Sequence, residues 1–196
     1  MSMSGNIDTI TAVIIAGGKS RRFGTDKALY PFEGRPLIEH AAAVLRRIFT
    51  HVIISTNDIA KFSYLGIPCF ADTIPGIGPL GGIYTALSTA RTHYIFTAAC
   101  DMPNLNEGLI RDMASLAHSY DIVIPRTKDG YEALHAIYSR ACLPHIQRTI
   151  EAGRRRIVDF FEDVSIRHIE EDEIRQFGDP SRIFFNINYS DDLRRA

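Results

Sequence analysis

The chain has 196 residues, 45% of them apolar and 23% charged, with a formal net charge of −1. That balance belongs to a globular protein that buries its own core, as one domain or as a domain with a small appendage. Near-neutral charge gives bulk nucleic-acid binding no electrostatic support, so any anion site has to be built locally from a few cations.

In chain order, Met1–Asp8 has neither a basic start nor an apolar stretch, and residues 1–9 read as a loose tail. Thr11–Ala16 (TAVIIA) reads as a buried strand that ends at Gly17-Gly18. A helical period follows over Pro36–Phe49, with Pro in the first turn. His51–Ser55 and the shorter Ile67–Ala71 read as strands, Gly81–Arg91 as a helix and Tyr94–Ala99 as a fourth strand. Asn106–His118 is an amphipathic helix pattern, and Asp121–Pro125 a fifth strand. Beyond Pro125 the rhythm changes. Glu132–Tyr138 reads as an antiparallel strand, Arg140–Glu151 and Arg155–Phe161 as helices, and Val164–Ile169 and Ile183–Asn188 as strands, with Ser190 capping a last short helix.

Strands alternating with helices imply a doubly wound α/β fold, a mostly parallel sheet covered by helices on both faces. No internal repeat or long linker divides it, so residues 10–196 are expected to form a single domain. No apolar run reaches the roughly 18 residues of a membrane span, which makes the cytoplasm the expected location and excludes a membrane partner. Cys69, Cys100 and Cys142 are too few and too scattered for a disulfide framework or a zinc site, and suit a reducing compartment. Cys100 reads as a small buried filler.

Ligands of such sheets sit at the carboxyl ends of the strands, and three features fall there. The first is the loop Gly17–Lys27. Its Gly17 and Gly18 let backbone N–H groups face a ligand, and Lys19, Arg21, Arg22 and Lys27 bring four cations against the single Asp26. The spacing is not that of a P-loop, because Val13 stands where the first glycine of that motif belongs. Nor do Gly17, Gly18 and Gly24 fit a dinucleotide fingerprint. A triphosphate cradle competes here with a plain solvated loop. The second feature is Asp101, after the strand YIFTAA and before Met102-Pro103. A carboxylate so placed suits Mg²⁺, which takes one or two carboxylates together with substrate phosphates; a turn cap is the other reading. The third is Asp72, opening a stretch whose Pro75–Gly82 segment, Gly81 included, can wrap a base or ribose with backbone groups or serve as an ordinary long turn. Near the end, Asn188 is the candidate second metal ligand. Asn186 is the alternative, and a turn role is equally open to both. Together these residues point to a Mg²⁺-dependent enzyme that transfers a nucleotide from a nucleoside triphosphate.

The succession AGGKSRRFGTDKAL, DTIPGIGPLGG, CDMP, YEALHAIYSR, GRRRIVDFF and FFNINYSDDL resembles the molybdenum cofactor guanylyltransferases over about residues 11–194. The opening loop is common to many nucleotidyltransferases, and the HAIY and NIN blocks narrow the likeness. The resemblance implies GMP transfer from GTP to the phosphate of molybdopterin or the molybdenum cofactor, with Mg²⁺ as cofactor and pyrophosphate as the second product. It implies that Ile15, Ala16 and Gly17 contact GTP and that Lys27 holds its phosphates. Ser55 and Asp72 would surround the guanosine, Asp101 would hold Mg²⁺, and Arg22 and Lys27 would steady the leaving pyrophosphate. About residues 10–125 would form the nucleotide-binding half and 126–196 the pterin-binding half. Other cofactor-biosynthesis proteins and molybdoenzyme chaperones are the implied protein partners. Ser55 stands where the family often has Asn, Phe23 where it usually has Met, and Ala133 where Pro is common.

His135 has two readings, a contact to the pterin or its phosphate, or a satisfied histidine on a half-buried strand. Arg154–Arg156 likewise either attracts the pterin phosphate or is a solvated helix start. The rival functions are another nucleotidyltransferase, acting on a sugar phosphate or using a cytidine nucleotide on molybdopterin, and a nucleotide-binding regulator without turnover. An intact Lys27 and Asp101 argue against the last.

Overall fold

The computed structural model describes residues 5–16 and 27–187. Gly17, Gly18, Arg22, Asn188 and Ser190, all singled out from the sequence, lie outside the described residues. In chain order the elements are β1 (Ile7–Ile15), the small hairpin β2 (Pro31–Phe32) and β3 (Arg35–Pro36), α1 (Leu37–Ile48), β4 (Phe49–Ser55), α2 (Ile59–Phe62) and β5 (Cys69–Phe70). Then come α3 (Pro79–Thr89), β6 (Tyr94–Ala99), α4 (Glu107–Leu116), β7 (Ile122–Thr127), β8 (Gly130–Tyr131) and β9 (His135–Ser139). The last are α5 (Leu143–Glu151), β10 (Ile166–Glu170), α6 (Glu171–Ile174) and α7 (Pro180–Ile183).

The main sheet runs β10-β7-β9-β6-β1-β4-β5, with β8 paired to β7. All pairs along that path are parallel except those of β9, which is antiparallel to both β6 and β7. The expected doubly wound, mostly parallel α/β sheet is therefore present, and the antiparallel strand sits inside it rather than at an edge. Alternation along β1 explains the two-sided core. Ala12 and Ile14 face a cluster with α1 and α4, while Val13 and Ile15 face one with α3 and α5. Both faces being covered is why TAVII carries no polar alternation. From β1 the chain goes to β4 and β5 on one side and then crosses to β6 on the other. A crevice at the carboxyl end of β1 is the consequence.

Local chemistry sets the helix ends. The Asn106 side chain accepts from Leu109 N–H at 2.9 Å and caps α4. α3 begins at Pro79, two residues before the expected Gly81, because Gly78 adopts φ +76° and Pro79 fits the first helical position. Among the described residues no helix is long and apolar enough to cross a membrane.

Other segments also differ from the sequence reading. Residues 7–9 are not tail but the first residues of β1, extending it beyond its buried part. The segment expected as a helix at Arg155–Phe161 is a 3₁₀ helix over Ile157–Asp163. The strand expected at Glu132–Tyr138 starts only at His135, since His135 N–H donates back to Glu132 O at 2.8 Å in a turn. The strand expected at Ile183–Asn188 is absent over its described part. Asp179 and Pro180 start α7 instead, and residues 184–187 follow without regular structure. Ile187 N–H donates to Asp101 O at 3.1 Å rather than to a strand.

Candidate active site

Three strand ends lie level in the crevice. Ile15 pairs with Ser55 on one side and Ala99 on the other. Beyond the ladder, Ala16 N–H donates to Ser55 O at 2.9 Å and Cys100 N–H to Ile15 O at 3.3 Å. Backbone hydrogen bonds thus fix Ile15, Ala16, Ser55 and the turn carrying Asp101 as one rigid rim. Cys100 is half-buried against the core, as a filler would be.

Lys27 and Asp101 meet on this rim. The Lys27 ammonium is hydrogen-bonded and ion-paired to Asp101 Oδ2, with side chains 14% and 17% exposed. Asp101 Oδ1 is buried and has no hydrogen-bond partner among the described residues. An orphaned carboxylate oxygen beside a cation is costly to keep in a folded protein unless something binds there. The donor set therefore fits a hard divalent cation supplied with further oxygens by a substrate.

On the same rim, the buried Ser55 donates its hydroxyl to Asp72 Oδ1 at 3.0 Å. Asp72 N–H is held by Asn57 Oδ1 at 3.1 Å, and Thr73 N–H by Thr85 Oγ1 at 3.0 Å. The loop from Asp72 into α3 packs closely. A Cβ on Gly81 would stand 3.1 Å from Ile74 O, and one on Gly82 3.2 Å from Ser55 Oγ. Gly81 thus keeps the loop tight against the helix start. The structure thus sets Ile15, Ala16, Ser55 and Asp101 at neighbouring strand ends, with Lys27 paired to Asp101, Asp72 held by Ser55, and Gly81 packed on the loop that follows Asp72.

His135 is fully buried between Phe96 and Phe184, with ring centroids 5.1 and 5.2 Å away. Neither ring nitrogen has a partner among the described residues, and burial pulls its pKa down to about 3. It packs as a neutral ring, on a strand that is fully rather than half buried and without the partner a satisfied histidine would have. Of the three arginines, Arg154 donates to Asp159 O at 3.0 Å, and Arg155 reaches Gly76 O at 3.5 Å, on the loop that follows Asp72. Asn186, the alternative to Asn188, lines a separate cavity.

That cavity, of about 420 Å³, was not anticipated from the sequence. Glu132, Phe184 and Phe185 contribute to its lining. Glu132 is half-buried, and burial, reinforced by the nearby Asp129, pushes its pKa up to about 7. Its only sequence signal was a carboxylate next to an apolar run. Among the described residues no group of three or more His, Cys, Asp or Glu is placed to hold a metal by itself.

A family model described as the MobA-like NTP transferase domain matches residues 12–169. A protein of Pelotomaculum thermopropionicum named as a probable molybdenum cofactor guanylyltransferase is 36% identical, over 95% of this chain and 91% of its own length. The molybdenum cofactor guanylyltransferase of Desulfosudis oleivorans is 34% identical, over 97% of this chain and 95% of its own. Among solved structures, molybdopterin-guanine dinucleotide biosynthesis protein A from Archaeoglobus fulgidus superposes with a TM-score of 0.81 at 26% identity, covering 94% of this chain and 95% of the other.

Proposed function

The chain belongs to the MobA-like NTP transferase family, as a relative of the molybdenum cofactor guanylyltransferases, and on that premise we propose that it transfers GMP from GTP to the phosphate of molybdopterin or the molybdenum cofactor. Pyrophosphate leaves. The observation that carries the proposal is the pairing of Lys27 with Asp101, whose second oxygen is orphaned, on the same rim as Ala16 and Ser55.

In this reading Ile15, Ala16, Gly17 and Gly18 line the nucleotide path. Ser55, Asp72 and Gly81 surround the guanosine. Lys27 exchanges Asp101 for phosphate oxygens when GTP enters. Asp101 would hold Mg²⁺, with Asn188 as its second ligand. Bound there, the ion would supply positive charge to the triphosphate. The acceptor phosphate is already ionised near neutral pH, so no strong general base is required. Lys27 and Arg22 offset the charge that accumulates on the departing pyrophosphate, and the rate comes from positioning and charge neutralisation. About residues 10–125 serve the nucleotide and 126–196 the pterin. The product then passes to other cofactor-biosynthesis proteins or molybdoenzyme chaperones in the cytoplasm.

The test is pyrophosphate release from each nucleoside triphosphate, with and without molybdopterin. Release from GTP only when the pterin is present is expected. Equal release from CTP would move the reading to a cytidylyl transfer, and binding without release would make the chain a regulator.

A further inference from the structure

Resting on the acceptor reading above, we propose that the cavity beside Asp101 takes the bicyclic ring of the acceptor, and that Glu132 recognises its 2-amino-4-oxo-pyrimidine edge by accepting two N–H donors. Pterins and guanine share this edge.

The cavity, about 420 Å³, has the size of a small-molecule site. Two of its walls hang from the turn that carries Asp101. The 184–187 segment is tied to it by Ile187 N–H donating to Asp101 O at 3.1 Å. The turn of Glu132 is tied to it through Ala99 N–H donating to Leu134 O at 3.1 Å. A molecule held in the cavity is therefore held next to the candidate transfer site.

Charge decides which end of the acceptor enters. Asp129, Glu132, Glu171 and Asp179 line the cavity against Lys128 and Arg175. Arg175 is already paired with Glu171, and Asp179 with the Ser181 hydroxyl and N–H. A phosphate would meet excess negative charge there, so the ring rather than the phosphate is the end that enters. What the lining offers a ring is Phe184, Phe185 and the half-buried carboxyl group of Glu132, Asp129 being exposed. The Glu132 side chain makes no hydrogen bond of its own within the described residues, and nearby Asp129 adds only like charge. A half-buried carboxyl kept without a partner is unfavourable in the empty protein. A neighbouring pair of N–H donors, such as N3–H and the 2-amino group of a pterin, matches a carboxylate in two parallel hydrogen bonds.

The experiment uses Glu132→Gln in the full chain, with thermal unfolding and GTP affinity as controls for folding. Pterin and lumazine, which carries a carbonyl in place of the 2-amino group, are titrated against both proteins and followed by their own fluorescence. The wild type is expected to bind pterin about tenfold or more tightly than lumazine, because the carbonyl turns one hydrogen bond into a repulsion. In Glu132→Gln the ratio is expected to fall below about threefold, with GTP affinity unchanged. A loss of GTP affinity confined to the variant would assign the edge to guanine and overturn the proposal. So would equal binding of the two rings by the wild type, no pterin binding, or a ratio retained in the variant. Turnover of GTP with molybdopterin separates the two readings. Should the wild type fail to make pyrophosphate while the ring preference still depends on Glu132, the transfer reading falls and the ring assignment stands.

Discussion

Replacing His135 by Leu should change how stability depends on pH, and the size of the change follows from burial. The imidazole is fully buried, both nitrogens lack partners, and its pKa lies at about 3 against 6.5 in a solvated chain. The unfolded chain thus takes up a proton below 6.5 that the folded chain refuses until about pH 3. A group with a lowered folded pKa contributes stability above its unfolded pKa and loses it as the pH falls. At pH 5 the linkage relation gives a loss of about 2 kcal/mol relative to pH 8. For a domain of this size that is about 4–8 °C in Tm. Leu is similar in bulk and has no titration, so at pH 7.5 the variant should lie within about 1 kcal/mol of wild type. Urea unfolding of both proteins at pH 7.5 and 5 isolates His135, since every other titrating group is common to them. The variant should gain about 2 kcal/mol on wild type between the two pH values. Parallel losses would refute the reasoning, showing that the buried ring accepts its proton as readily as a solvated one.

Asp101→Ala should lower GMP transfer by on the order of 10²-fold or more, measured as pyrophosphate release at saturating GTP and Mg²⁺. Near-normal turnover would remove Asp101 from the metal. Gly82→Ala should raise the KM for GTP by about three- to thirtyfold, because the added methyl would stand 3.2 Å from Ser55 Oγ and 3.6 Å from Asp72 Oδ1. The same change favours the helix by about 1 kcal/mol, so Tm should move little and a kinetic assay is the one to use. Acceptor affinity should rise between pH 6 and 8 as Glu132 ionises around 7 among Lys128, Asp129, Glu171, Arg175 and Asp179, and should be flat in Glu132→Gln. A wild-type affinity that does not vary with pH would count against the carboxylate as the binding form.

The core of the sheet was legible because strands covered on both faces are continuous apolar runs, as TAVII and YIFTAA are. Asp101 and Ser55 were legible for a related reason, since each polar residue ends such a run and so has to sit at the carboxyl edge. Ile7-Asp8-Thr9 was not, because the start of β1 lies partly in solvent and pairs without an apolar signal. FFNIN alternates like a strand, yet the residues it buries, Phe184 and Ile187, lie three apart in an irregular segment without a ladder, so the alternation does not report the burial. Glu132 and His135 were misplaced or missed because segments far along the chain enclose them. Phe184 packs on His135 and shares the cavity lining with Glu132, and no local pattern announces a contact across some fifty residues.

The most direct measurement follows the α-phosphorus of GTP. With labelled GTP, Mg²⁺ and molybdopterin, the label should appear in a guanine dinucleotide of the pterin, and Asp101→Ala should abolish that product while the protein remains folded. Label released as free GMP, or a dinucleotide formed as well by Asp101→Ala as by wild type, would contradict transfer at the Lys27–Asp101 rim.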